Sequence, residues 1–469
     1  MPNPLAYLVL AMWPIVTIVL FRRLPVERAL ILSLLVGYLF LPEPPTAFDL
    51  PLMPSLNKHS IPALTAFAFC MWKYGPGGAL LPQSPLARLL LAVFVFSPVL
   101  TTVTNTAPVF FGQIGLPGLS PKDGLALVVQ HMIVIMPFLL ARRFLANGGA
   151  QRYFLVALVV TGLVYSVPML IEMRLSPQLN RWIYGYYQHL FGQSIRANGY
   201  RPVVFLYHGL WVAFFMFTAT LAAFALWRND KRLHEFKVLA AAAYLLAILV
   251  LAKSLGALIF AVGLIPVAML LGRKSQIRVA MLIGALAIGY PIMKGAHLVP
   301  EDRIIAAAAS IDAERANSLD FRFENENILL DRAYLKPVFG WGSWGRNQIF
   351  DPVTGEIATV TDGRWIIVIG VYGWVGFLAE FGLLLLPVFL LWRESVSARR
   401  ETISPFIAPL SLMLAINVFD MIPNATLTPL TWLLAGALTG YAEQLKAARK
   451  KQAVRTGAAS RPLKWRSVM

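Results

Sequence analysis

The chain has 469 residues, of which 58% are hydrophobic and 14% are charged. Soluble domains contain about 45–50% apolar and about 25% charged residues, so this composition excludes an ordinary soluble protein and indicates a membrane protein. The formal net charge is +18, and the single cysteine, Cys70, lies in an apolar run. One cysteine excludes a disulfide framework, and the six scattered histidines lack the spacing of metal ligands, so no metal site is predicted.

Apolar segments long enough to cross a bilayer recur along the chain. Crossing the hydrocarbon core takes roughly 20 apolar residues, with about 17–25 as the usual range. The candidate spans are 5–21, 27–42, 60–73, 86–104, 125–141, 153–171, 203–227, 237–253, 254–271, 278–294, 364–392, 404–421 and 427–443. The second and third are short or interrupted by proline. The sequence therefore predicts an all-α, polytopic integral membrane protein with 12–13 transmembrane helices in one membrane domain.

Basic residues alternate between the loops that connect these spans. Most of the 41 Lys and Arg residues lie in one alternate set of loops, which begins with Arg22 and Arg23 and ends in a basic tail, 444–469. Since Lys and Arg favour the cytoplasmic side, we expect a bacterial inner-membrane protein with a periplasmic N-terminus and a cytoplasmic C-terminus. A basic cytoplasmic face accounts for the net charge without nucleic acid. The first apolar run has its basic residues after it, so it reads as a retained helix and not as a signal peptide.

Two segments on the predicted periplasmic side differ from plain connections. Segment 172–202 is rich in arginine, although arginine is disfavoured on the translocated side. Its arginines are Arg174, Arg181, Arg196 and Arg201. Segment 295–363 is the longest polar stretch, and within it 319–336 is predicted to be an amphipathic helix with Ser318 as its N-cap. The run 339–345 (FGWGSWG) then predicts a tight aromatic turn.

The stretch 196–209 is the first candidate site. Arg201 and His208 lie where it enters the seventh span, at the depth of a lipid head group. Arginine suits a phosphate or diphosphate, because its planar fork donates two parallel hydrogen bonds and keeps its charge. The alternatives are arginines that bind head groups nonspecifically or snorkel, and a histidine that is simply satisfied at the interface.

The second candidate site lies where the long polar segment enters the eleventh span. Asp362 could act on a substrate hydroxyl or could only cap the helix. Arg364, two residues later, and Arg346, just after the aromatic turn, are candidates for substrate binding. The glycines that follow at 370, 373 and 376 permit close helix packing in lipid.

Three further residues are weaker candidates. Lys253 lies at a break between two apolar runs, where it could neutralise an anionic substrate or belong to a plain turn. Glu380 is an acid inside an apolar span, and such residues are functional candidates by default, although the sequence names no partner for it. Asp420 lies near the outer end of the twelfth span.

Several of these residues form motifs that follow one another between 190 and 440. The motifs are Arg201, Phe205 and His208-Gly209; the turn at Lys253-Ser254; Arg322 followed by 337–342 (PVFGWG); and Asp362-Gly363 followed, nine residues on, by 373–376 (GWVG). In this order they resemble the O-antigen polymerase and O-antigen ligase superfamily, which comprises Wzy-type polymerases and lipid A–core ligases.

This resemblance implies a glycosyltransferase that needs no cofactor, and the lack of an acidic metal cluster predicts metal independence. The donor would be a glycan on undecaprenyl diphosphate, in contact with membrane lipid, and a chain-length regulator is a conceivable protein partner. An acceptor hydroxyl would attack the anomeric carbon and the lipid diphosphate would leave. Arg196, Arg201 and Arg322 would stabilise the negative charge that grows on the leaving group.

One position departs from the family pattern and leaves the base open. The family's ligases carry a histidine, thought to help activate the acceptor hydroxyl, where this chain has Asp362. Aspartate is a poorer base than histidine near neutrality. Asp362 could orient the hydroxyl, or His208 could supply the base. Polymerase and ligase activity both remain open.

Two other classes of function remain as alternatives. A transporter or flippase for an anionic lipid or lipid-linked sugar would need polar residues along a path through the membrane. Apart from Glu380, the predicted spans are nearly free of charge, which favours chemistry at the outer surface. A non-catalytic partner in a polysaccharide export complex is the other alternative.

Overall fold

The computed structural model describes residues 1–50, 53–76, 80–196, 199–310 and 313–459. The end of the predicted basic tail, 460–469, lies outside the described residues, as do 197–198 and 311–312 in the two predicted periplasmic segments. The fold is all-helical, with 71% helix, which confirms the predicted α class.

The helices follow one another with short connections, except around the two polar segments. In chain order they are α1 (Pro4–Arg23), α2 (Val26–Phe40), α3 (Ile61–Tyr74), α4 (Pro85–Val103), α5 (Pro121–Phe144), α6 (Gly148–Leu175), α7 (Leu179–Tyr184), α8 (Gly209–Asn229), α9 (Glu235–Leu251), α10 (Leu255–Leu270), α11 (Arg273–Gly295), α12 (Glu301–Ala309), α13 (Ala313–Tyr334), α14 (Arg364–Ser397), α15 (Ile407–Asp420) and α16 (Pro429–Ala459). Two short antiparallel hairpins accompany them, β1 (Val109–Phe111) with β2 (Ile114–Leu116), and β3 (Ile195–Arg196) with β4 (Gly199–Tyr200).

Seven helices of the described chain are long and apolar enough to cross a membrane, so the protein is a multi-pass helical membrane protein. They are α1, α4, α5, α6, α8, α11 and α14. The count of 12–13 crossings is not confirmed, because α10 has only 16 residues and α15 only 14, and α16, although it has 31 residues, is not among the seven. The full count therefore stays a prediction.

Apolar sequence also does not end where the helix ends. The predicted seventh span begins at 203, whereas α8 begins at Gly209. Residues 203–206 are apolar and buried, but they lie outside a helix. Hydropathy includes such a segment in a span, although its backbone groups form hydrogen bonds with side chains and not the regular hydrogen bonds of a helix.

The core of the bundle forms where α5 packs directly against α16. Gly436 and Gly440 face α5, and an added Cβ would lie 2.2 Å from the carbonyl oxygen of Phe138 or Arg142, respectively. Small residues spaced by four allow two helix backbones to approach this closely in lipid.

Three polar segments meet at one end of the bundle, which we call the loop face; they are 41–60, 172–208 and 295–363. The backbone N–H of Asn3 donates to the carbonyl of Tyr184 at 2.9 Å, and the Tyr184 hydroxyl donates to the carbonyl of Phe40 at 2.7 Å. Lys58 donates to the carbonyl of Phe205 at 2.8 Å. The N-terminal end of α1 therefore lies at the loop face.

The loops of the predicted basic set meet at the opposite end. Their contacts are Arg143 with the carbonyl of Tyr74, Arg152 with Asp230, Arg142 with Glu443, Arg228 with the carbonyl of Leu271, and Arg273 with the carbonyl of Ile403. The alternation read from the sequence thus corresponds to two ends of one bundle. Which end faces the cytoplasm stays a prediction.

The predicted amphipathic helix exists but is longer at its start. α13 begins at Ala313, so Ser318 lies inside the helix and the predicted N-cap is wrong. Leu329, Leu330 and Ala333 form its buried face near the C-terminal end. Its polar face carries Arg322, which α13 directs toward the start of α14.

Candidate functional site

The aromatic turn is inserted into a break in α14. Gly373 has φ 67° and ψ −170°, a conformation that only glycine adopts readily. The N–H groups of Trp341 and Gly342 donate to the carbonyls of Gly370 and Val371, at 2.8 and 2.9 Å. The broken helix thus finds its hydrogen-bond partners in the turn, as buried backbone in a membrane protein must.

The break brings Arg364 and Glu380 together. Nε and Nη2 of Arg364 donate to the two carboxylate oxygens of Glu380, both at 2.7 Å. The two residues are 16 positions apart, which in an unbroken helix would span about 24 Å, so the pair exists only because the chain turns back at Gly373. This pair supplies the partner that the sequence did not name for Glu380. Two hydrogen bonds to Glu380 also engage the guanidinium of Arg364. The predicted substrate contact of Arg364 is therefore replaced by a structural ion pair.

Asp362 faces Arg322 across the entrance to α14. Arg322 Nε lies 3.3 Å from Asp362 Oδ2, and the two side chains are 31% and 40% exposed. The N-cap of α14 is Gly363, with no side-chain capping bond, so the interpretation of Asp362 as a cap is wrong. Arg322 Nη1 also approaches the carbonyl of Pro423 at 3.3 Å. The sequence-predicted residues Arg322 and Asp362 therefore share one accessible location.

Arg201, Lys253 and Arg196 lie together on a neighbouring part of the loop face. Arg201 Nη2 donates to the carbonyl of Lys253 at 3.0 Å, and Lys253 Nζ donates to the carbonyl of Arg196 at 3.1 Å. Nε of Arg201 is buried and has no hydrogen-bond partner in the described part of the chain. Burial and then the charge of Arg196 lower the pKa of Arg201 to about 10, so it stays charged at neutral pH.

His208 lies among these cations. Burial, and then the positive charges of His189, Arg201, Arg196 and Arg322, lower the pKa of His208 to about 3, so its imidazole is neutral at physiological pH. The arginines of two separate segments therefore lie close enough to one imidazole to affect its charge. We call Arg196, Arg201 and Arg322 the arginine cluster.

The hydrogen bonds of His208 argue against its predicted role as a base. It is the N-cap of α8, and its Nδ1 accepts the N–H of Leu210 at 3.1 Å. Nδ1 must then be unprotonated, which assigns the proton to Nε2, 3.1 Å from Gln193 Oε1. Neither nitrogen has a lone pair to offer to a substrate hydroxyl, and the pKa of His208 opposes protonation.

Arg346 lies away from this cluster. It is 2% exposed and its guanidinium donates to the backbone carbonyls of Trp341, Pro117 and Ala107. These bonds fix the aromatic turn to the connection between α4 and α5. Arg346 is therefore a structural residue, and the predicted substrate contact is replaced by these three carbonyls.

Sequence reasoning missed a buried charged group on the loop face. Lys58 Nζ lies 3.0 Å from Glu43 Oε1, and His59 Nε2 lies 3.2 Å from Glu43 Oε2. Glu43 and Lys58 are almost fully buried. Lysine and histidine side by side at the start of a span, after a lone acid at the end of the preceding one, are the only signal in the sequence.

The site is organised around cations and hydrogen-bonding side chains. Within the described ranges, no three His, Cys, Asp or Glu side chains group as metal ligands would. Comparison of the chain with models of known protein families and with curated protein sequences gave no match. The function is therefore argued from the geometry: the arginine cluster can hold a polyvalent anion, and Asp362 lies at its edge.

Proposed function

We propose that the protein is a metal-independent glycosyltransferase of the polymerase or ligase type. It would transfer a glycan from undecaprenyl diphosphate to an acceptor hydroxyl at the loop face, which would be the periplasmic face of a bacterial inner membrane. The observation that carries the proposal is that Arg196, Arg201 and Arg322 all lie near enough to His208 for their charges to act on its imidazole. The motif order that resembles polymerases and ligases gives the anion its proposed identity, a lipid diphosphate.

The arginine cluster has the properties of a site for a leaving group. Negative charge grows on the diphosphate as the bond to the anomeric carbon breaks, and fixed cations that face this charge lower the barrier. Arg201 Nε is buried without a partner in the described structure, which costs free energy unless a ligand accepts its hydrogen bond. Arg322 already holds one carboxylate, Asp362, and that partly exposed pair can open to a more highly charged anion.

The broken helix α14 gives one observation in favour of transport. Transporters place substrate sites at discontinuous helices near the middle of the membrane. Here, however, the aromatic turn fills the break and satisfies its backbone groups, and Arg364 and Glu380 neutralise each other. These partners leave the arginine cluster, at the surface, as the better candidate for the substrate anion.

The test is product formation by the purified protein from a lipid-diphosphate-linked oligosaccharide and its acceptor. Arg201→Ala and Arg322→Ala should each lower the rate at least 100-fold without changing the amount of folded protein. The matched control is Arg181→Ala, which removes an exposed arginine from the same arginine-rich segment. Full activity in either cluster variant would contradict the proposal, and movement of the intact donor across liposomes without transfer would favour the transporter.

A further inference from the structure

Glu43, Lys58 and His59 form a charged group that the arginine cluster does not include. Glu43 follows α2 and the other two precede α3, so both segments belong to the loop face. Burial acts to raise the pKa of Glu43, but attraction and hydrogen bonds from Lys58 and His59 outweigh it and hold the pKa below its ordinary value. Glu43 is therefore an ionised carboxylate that is only 1% exposed.

The carboxylate fixes the proton on the His59 ring. An ionised carboxylate can only accept hydrogen bonds, so His59 Nε2, at 3.2 Å, must carry the proton that Glu43 receives. In the neutral ring, which is the form that can take up a proton, Nδ1 is therefore the acceptor. The His59 side chain is 30% exposed, unlike its two neighbours. This arrangement, in which a buried carboxylate orients a partly exposed imidazole, is the one that general bases use.

The group is attached to the chain segment that carries part of the arginine cluster. Lys58 Nζ donates to the carbonyl of Phe205 at 2.8 Å, between Arg201 and His208 in sequence. The His59 ring packs edge-on against Trp211, at 6.4 Å between ring centroids, within one helical turn of His208. The segment 201–211 thus contains Arg201 and also contacts the Glu43–Lys58–His59 group, through Phe205 and Trp211.

We propose that His59 is the general base of the transfer reaction and that Glu43 is its positioning residue. This inference rests on the proposed glycosyl transfer. His59 Nδ1 takes the proton of the acceptor hydroxyl while the hydroxyl oxygen forms a bond to the anomeric carbon. The bond from that carbon to the diphosphate oxygen breaks, its electron pair leaves with the lipid diphosphate, and His59 then releases the proton to water. His208, with both ring nitrogens engaged, is not needed as a base.

The test uses His59→Gln in the full-length protein. Glutamine can still donate to Glu43 but cannot take a proton, so we expect kcat to fall about 10²–10⁴-fold while KM for the donor stays within twofold. Glu43→Gln should lower kcat less. His297→Asn is the matched control, because His297 is an exposed histidine with a left-handed backbone that asparagine tolerates. It should leave the rate unchanged.

Chemical rescue separates a base from a residue that only holds the loop. His59→Ala should regain activity with added imidazole, and the rescued rate should rise with the basicity of substituted imidazoles of similar size. Rescue that is independent of basicity, or a His59→Gln variant as fast as the wild type, would overturn the assignment. A wild type that binds the lipid-linked donor without any transfer would overturn the proposed function and this inference with it.

Discussion

Asp362 is a residue that motif order predicts, and the structure shows which groups surround it. The sequence left it as a cap or a catalytic group; the structure gives the cap position to Gly363 and places Asp362 3.3 Å from Arg322. Asp362 therefore pairs with an arginine that the proposed reaction needs. Its partly exposed carboxylate is also in a position to hydrogen-bond an acceptor hydroxyl.

Asp362→Asn should separate these roles. The amide keeps the shape and can still orient a hydroxyl, but it removes the negative charge beside Arg322. If Asp362 orients the acceptor through its charge, we expect the rate of product formation to fall about 10²-fold or more, at the low end of general-base effects. The measurement is the single-turnover rate with a saturating lipid-linked donor. Tighter donor binding with an unchanged rate would instead mean that Asp362 only competes with the donor for Arg322.

Arginine identity in the cluster gives a second prediction at this scale. Arg322→Lys retains the charge but replaces the planar fork with a point charge, so it should recover only a small part of the activity that Arg322→Ala loses. The check is the rate of the lysine variant relative to wild type and alanine variant. A lysine variant with full activity would show that charge alone is sufficient.

Most residues of the candidate site could be predicted from the sequence, because a charged or polar residue beside an apolar span is recognisable from its type and position. Arg201, His208 and Asp362 lie at the entrances of predicted spans, Arg322 lies in the predicted amphipathic helix, and the structure brings them to one face. Partners are harder to predict: Arg346 and Arg364 have the same residue type as the cluster arginines, yet one binds backbone carbonyls and the other binds Glu380. No pattern in a single sequence distinguishes an arginine with internal partners from one that faces a ligand.

At the scale of elements, the break in α14 determines where the start of this helix lies relative to the candidate site. Gly373 was predicted to serve close helix packing, and hydropathy gave one long span through it. Both interpretations miss the reversal of the chain, because a positive φ has no signature beyond glycine itself. The turn 337–342 occupies the break, and this contact positions the start of α14 beside Arg322.

Gly373→Ala tests this break. An alanine Cβ would lie 2.3 Å from the carbonyl oxygen of Val338, and a non-glycine residue in this backbone region costs about 1–3 kcal/mol before the clash is counted. We expect a lower thermal unfolding temperature and a large loss of transfer activity. Gly263→Ala is the matched control, because it lies in α10 with no atoms within 4 Å of the added Cβ. Equal unfolding temperatures for the two variants would contradict the break.

The Arg364–Glu380 pair offers a charge-swap experiment on the same element. Arg364→Ala or Glu380→Ala alone leaves a charge without its partner inside the bundle, which is destabilising by about 3–5 kcal/mol for buried pairs. The swapped double variant, Arg364→Glu with Glu380→Arg, should recover part of the folded yield lost in either single charge reversal. Folded yield is measured by size-exclusion chromatography in detergent. A double variant with lower yield than both single reversals would show that the pair does not form.

At the scale of the whole molecule, the charge bias and the contacts describe the same two-ended bundle. The basic loops are joined by contacts such as Arg152–Asp230 and Arg142–Glu443, whereas Asn3 and the three polar segments lie at the loop face. The start of α1 and the region of Glu443 thus lie at opposite ends. This geometry requires an odd number of end-to-end passes between them, whichever of the shorter helices cross the bilayer fully.

Cysteine labelling gives a direct test of orientation in the full-length protein. The single native cysteine, Cys70, is buried, so Cys70→Ala provides a background without reactive thiols. Val353→Cys places a thiol on the loop face at a residue that is 91% exposed, and Lys231→Cys places one on the exposed basic end. A membrane-impermeant maleimide added to intact cells whose outer membrane is permeabilised should label Val353→Cys alone, and lysis should add Lys231→Cys. Reporter fusions after residues 330 and 450 should agree, the first active only outside the cytoplasm and the second only inside. Labelling of both cysteines in intact cells, or two reporters on the same side, would overturn the odd number of passes. Labelling of Lys231→Cys alone in intact cells would move the arginine cluster away from the periplasm.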